Sequence, residues 1–153
     1  MSIYKHCLRV QQEVVRNTTT GLFNGSFFDT GGVCLIGPYG HTAYYIPNSE
    51  MILNPTKICI NSNVKNLFCD YDDTDYTWFT ETIMKSSDPR INKVREVATV
   101  DGRVMLFQDK FIRALIRDYG KDVEFRVPKF KSNHIIAYVD KNPIAVCMEF
   151  RES

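Results

Sequence analysis

Residues 106–153 change their apolar period once. Phe107, Phe111 and Leu115 recur at i, i+4 and i+8, and Ile112, Ile116 and Tyr119 widen that stripe, so a helix is predicted over 107–119. Gly120 stands where such a helix stops. The period then falls to two: Val123, Phe125 and Val127 alternate with Glu124 and Arg126. Runs at 134–139 and 144–150 follow, split by the turn Asp140-Lys141-Asn142-Pro143. A helix feeding a short meander restricts the chain to an α+β fold with a mostly antiparallel sheet and one or two amphipathic helices.

The earlier residues extend this picture. A hairpin is expected from 33–36 and 42–46 around Gly37-Pro38-Tyr39-Gly40. Further strands are expected at 56–60, 67–71, 77–83 and 93–100. Residues 3–16 place Ile3, Cys7, Val10 and Val14 on one helical face, although the Val14-Val15 pair also suits a strand. Residues 17–32, rich in Asn, Thr and Gly, read as a loop with Phe23, Phe27 and Phe28 dipping into the core. A helix followed by short strands thus occurs near the start and again after residue 106.

With 153 residues, 44% of them hydrophobic, the chain is expected to form a single domain, 1–153, with a core of its own. No apolar run approaches the roughly 20 residues of a membrane span, and no charged-then-apolar leader is visible. No membrane association and a cytoplasmic location are therefore expected. Five cysteines, an odd number in apolar settings, read as reduced buried thiols.

Lys+Arg 19 nearly balances Asp+Glu 18, which argues against a globally basic nucleic-acid binder. The charge is uneven, however. Residues 66–83 hold five acids and no base, whereas 84–131 hold 12 basic against seven acidic residues. Within the predicted helix, Lys110, Arg113 and Arg117 fall at i, i+3 and i+7. A row of long cations is what phosphate contacts require, and a solvated helix face is the plainer account. Should DNA be bound elsewhere, Arg90, Lys93 and Arg95 are the next cluster.

The tract Asp70-Tyr71-Asp72-Asp73-Thr74-Asp75, with Glu81 at the twelfth place, resembles a Ca²⁺ loop in spacing. Asp75 occupies the place where that loop needs Gly, so no metal is expected. Cys34, His41 and Asp29 would supply a thiol, a base and a carboxylate for nucleophilic catalysis, but Cys34 lies in an apolar run and reads as an inert thiol. The three histidines lack ligand spacing, and no cofactor is expected. Tyr71, Tyr76 and Trp78 beside the acidic tract are candidates for a protein interface.

Leu106-Phe107-Gln108-Asp109-Lys110-Phe111-Ile112-Arg113-Ala114-Leu115-Ile116, with the strands after it, resembles the closing half-domain of the DNA sliding clamp family. The likeness covers about a third of the chain. It implies a basic helix facing DNA and strands forming an outer sheet. It also implies a terminal strand whose Met, Pro and Arg flank a pocket for partner peptides. Met148, Phe150 and Arg151 stand in comparable places, and the Pro is absent. The leading expectation is a non-enzymatic, clamp-like binding module of bacterial or phage DNA metabolism, with a protein partner or self-association as an oligomer. A small protein-binding inhibitor or regulator using 66–83 is the alternative, and a thiol-dependent enzyme using Cys34 and His41 the third.

Overall fold

A computed structural model describes residues 2–28, 31–38, 40–60, 64–85, 93–129 and 133–150, with side chains in all of these except 75–85. The fold is α+β. Helix α1 (Cys7–Asn17) leads into strands β1 (Phe23–Phe28), β2 (Gly32–Ile36) and β3 (Thr42–Pro47). Short β4 (Ile58–Ile60), long β5 (Thr74–Lys85), β6 (Lys93–Thr99) and β7 (Val104–Gln108) follow. Helix α2 (Asp109–Tyr119) then precedes β8 (Val123–Pro128), β9 (His134–Val139) and β10 (Asn142–Met148).

The ten strands of the described residues join one sheet in the order β4-β1-β2-β3-β10-β9-β8-β5-β6-β7. Among the described residues, only the β1–β4 pair is parallel. The centre of the order is symmetrical. Each helix feeds a three-stranded meander, and the last strands of the two meanders, β3 and β10, pair antiparallel with Tyr44 opposite Ala145. Strand β5 joins two ladders, using Thr74–Tyr76 against β8 and the stretch from Thr77 against β6.

Both helices cover one face. Val10 and Val14 of α1 and Phe111, Ile112 and Leu115 of α2 share a buried cluster with Leu35, Ile46, Ile135, Ala137 and Val139. The opposite face carries Ile136, Tyr138 and Val146, and a strap of two 3-10 turns across residues 64–73 covers them with Leu67, Phe68 and Tyr71. Strand β9 is therefore buried on both faces, which explains why 134–139 reads as an unbroken apolar run.

Several expectations need correcting. Helix α2 starts at Asp109, and Phe107 belongs to β7. Phe107 is still fully buried, so a strand residue and a helix residue feed the same cluster and imitate one helical stripe. Residues 23–28 form a strand despite their loop-like composition. A Cβ at Gly25 would sit 2.6 Å from the Cys34 carbonyl oxygen, so glycine is what lets β1 approach β2 this closely. Phe27 is partly exposed rather than buried, and Phe28 packs edge-on against Tyr45 and Phe68. Residues 67–71 form part of the strap instead of a strand. Strand β5 runs well beyond 77–83 at both ends, and β4 is shorter than 56–60.

Candidate nucleic-acid interface on helix α2

The α2 stripe of Phe111, Ile112, Leu115 and Tyr119 is buried, and this fixes the rotation of the helix. Lys110, Arg113 and Arg117 consequently face solvent. The helix ends at Gly120, whose φ of 61° suits glycine and whose N–H bonds the Ile116 carbonyl.

Both acids of α2 are engaged by basic side chains. Asp109, in the first turn, is completely buried. It accepts a 2.8 Å bond from Arg95 Nε and lies 3.5 Å from Arg113 Nε. A carboxylate at a helix N-terminus is also favoured by the helix dipole. Asp118 reaches across to α1, where Arg9 donates from Nη2 at 2.7 Å and from Nε at 3.0 Å. The surface presented by Lys110, Arg113 and Arg117 is thus cationic, with Arg113 anchored at one nitrogen and still half exposed.

The other candidates separate from this face. Lys93 is exposed at the start of β6, Arg95 is committed to Asp109, and Arg90 lies outside the described residues. On the strap, Asp70, Asp72 and Asp73 are exposed. Tyr71 donates to Glu124 at 2.9 Å, receives a 2.6 Å bond from Arg126, and lies edge-on to Tyr138. Tyr71 therefore serves as an anchor of the strap. The side chains of Asp75, Tyr76, Trp78 and Glu81 lie outside the description, as do Asp29, Tyr39 and Arg151. Met148 and Phe150 are half-buried. Their amides bond the carbonyls of His41 and Leu106, so the end of β10 is tied to β3 and β7.

Cys34 is fully buried and pairs across the hairpin with Tyr45. His41 precedes β3, four residues along the chain from Tyr45. Burial pushes the Cys34 thiol up to about 12. All five cysteines are free, but Cys59 and Cys69 are only half-buried, unlike the uniform burial expected of them. Among the described residues, no three His, Cys, Asp or Glu side chains gather as a metal would require, and no helix is long and apolar enough to cross a membrane.

A second polar cluster was not visible in the sequence. His6, fully buried at the start of α1, places Nδ1 2.6 Å from the Tyr119 hydroxyl and Nε2 2.8 Å from the Tyr45 carbonyl. Tyr119 Oη also contacts the Ile3 carbonyl at 2.9 Å and receives the His6 amide at 3.2 Å. Burial pulls the imidazole down from 6.5 to about 4. One turn along α1, the buried Gln11 amide donates to the Cys7 and Glu50 carbonyls and accepts from the Ile52 amide. These partners are remote in sequence, and no local spacing announces them.

None of the known family models, curated proteins or solved structures matches this chain.

Proposed function

We propose that the protein is a non-enzymatic binding module that holds nucleic acid through the outer face of α2. The observation that carries this reading is the sorting of charge on one helix. Lys110, Arg113 and Arg117 face outward while Asp109 is buried and Asp118 is held by Arg9. Of the three, Arg113 shares the Asp109 carboxylate at 3.5 Å yet stays half exposed, and a row of exposed long cations suits phosphate contacts, which need no particular base sequence. The likeness of 106–153 to a sliding-clamp half-domain points the same way, with DNA as the polyanion and self-association or a protein partner completing the working form.

Fluorescence anisotropy with labelled duplex DNA across a salt series tests this. Binding should be strongest at low salt and similar on unrelated sequences. Replacing all three cations with Ala should weaken it, and the slope of log affinity against log salt should flatten by about 0.9 per lost phosphate contact. No binding by the parent protein at low salt would overturn the reading. Binding that survives the triple change with its slope intact would move the site elsewhere. A protein-binding regulator is the second reading, supported by the exposed carboxylates of Asp70, Asp72 and Asp73. It predicts a protein complex without DNA binding.

A further inference from the structure

The chain of contacts through His6 has more links than protons. It runs from the Tyr45 carbonyl to His6 Nε2, from His6 Nδ1 to the Tyr119 hydroxyl, and from that hydroxyl to the Ile3 carbonyl. Both ends are carbonyls, which only accept. Three links need three protons. A neutral imidazole supplies one and the Tyr119 hydroxyl one, so one link is always empty. An imidazolium would fill all three without moving a heavy atom. It would also place a charge in a fully buried position between α1, α2 and β3.

The groups around His6 decide which cost is larger. On α1 these are the Cys7 thiol, 3.6 Å from Nε2, and the Arg9 guanidinium. On α2 they are Tyr119 and Asp118, and the Asp118 carboxylate is already taken up by Arg9. On β3 they are the neutral ring of Tyr44, 6.2 Å away, and the Tyr45 carbonyl. No carboxylate in this set is free to balance a buried imidazolium. Desolvating an ion costs more than one added hydrogen bond returns.

We infer that this cluster is an acid-release latch: uptake of one proton by His6 frees α1 from α2 and β3 while the central strands stay paired. Helix α1 is the element suited to come away. It holds no strand position, and the residues it buries, Cys7, Val10, Gln11 and Val14, include no aromatic ring, whereas α2 buries Phe111 and Tyr119. Its release would also remove Arg9 from Asp118 and return a carboxylate to the end of the α2 row.

Hydrogen exchange followed by mass spectrometry between pH 7 and 4, corrected for intrinsic rates, tests the latch. Protection of residues 7–17 should fall about tenfold per pH unit below 6.5, the slope of a single proton, while residues 134–139 keep theirs. Both regions losing protection together, or α1 keeping its own, would overturn the proposal. His6→Gln can still donate to the Tyr45 carbonyl but cannot titrate, and its α1 protection should not change with pH. Should that variant fail to fold, NMR titration of the His6 ring in the unaltered protein decides. A midpoint well below 6.5 supports the latch, and one at or above 6.5 sinks it.

Discussion

The two helix-and-meander units share an element order and meet at the β3–β10 pair, yet their helices turn different chemistry outward. Helix α2 shows Lys110, Arg113 and Arg117. Helix α1 shows Leu8, Gln12, Val15 and Arg16, with Leu8 and Val15 about half exposed. The inward faces differ too. α2 buries two aromatics and three other residues, whereas α1 buries two valines, a cysteine and a glutamine. One architecture therefore carries two loads: α2 is anchored in apolar packing and free to present charge, while α1 adds polar contacts through His6, Arg9 and Gln11 to a smaller apolar stripe.

The largest test of that contrast lies in the core. Phe111→Ala should cost about 3–5 kcal/mol, because a buried ring beside Tyr44 leaves a large cavity. Val14→Ala on α1 removes only two carbons and should cost about 2 kcal/mol or less. Chemical denaturation of both variants measures the difference, and equal costs would break the comparison.

Acid provides the next test. His6 is held neutral by burial in the folded state, so the unfolded chain binds the extra proton more readily. The stabilisation is complete above about 6.5, the ordinary histidine value, and disappears as pH falls toward 4. At about 1.4 kcal/mol per unit, that amounts to up to about 3 kcal/mol. His134 in the second unit is shifted in the same direction by burial, although it bonds the Leu67 carbonyl. Urea titrations of the His6→Gln variant at pH 7 and pH 5 would separate the two. A pH dependence equal to that of the parent would assign the effect to His134.

The bridge between the units is weaker. Arg9 and Asp118 are partly exposed, so a double-mutant cycle of Arg9→Met with Asp118→Asn should return about 1 kcal/mol of coupling or less. The smallest effects belong to the outer faces. Single Ala changes at Lys110 and Arg117, and Leu8→Ser on α1, should each stay within about 0.5 kcal/mol in a thermal melt. A larger loss at Lys110 or Arg117 would mean that the row is structural.

The second unit was legible because its signals are local. Gly120 ends α2, the 123–127 alternation marks β8, and Asp140-Lys141-Asn142-Pro143 turns the chain between β9 and β10. The first unit was harder because its determinants are remote. β1 is a strand because Gly25 admits the Cys34 carbonyl, and α1 is held by partners on β3, α2 and the 50–53 segment. Strand β7 has no signal of its own in the sequence, and its Phe107 continues the stripe of Phe111 across a change of secondary structure. For the candidate interface, the spacing of Lys110, Arg113 and Arg117 places the cations on one side. The burial of Asp109 and the capture of Asp118, which leave that side cationic, depend on Arg95 and Arg9.

The β3–β10 seam also sets an order of events during synthesis. Thr42 and Cys147 are register partners about a hundred residues apart along the chain. The first meander can form as soon as it is made, but the edge of β3 stays open until β10 emerges. Non-local closure of this kind slows folding and leaves an unpaired strand edge exposed to other chains. Tyr44 and Ile46 lie on that waiting strand, so the nascent protein is most exposed to aggregation at the line that becomes the middle of its finished sheet.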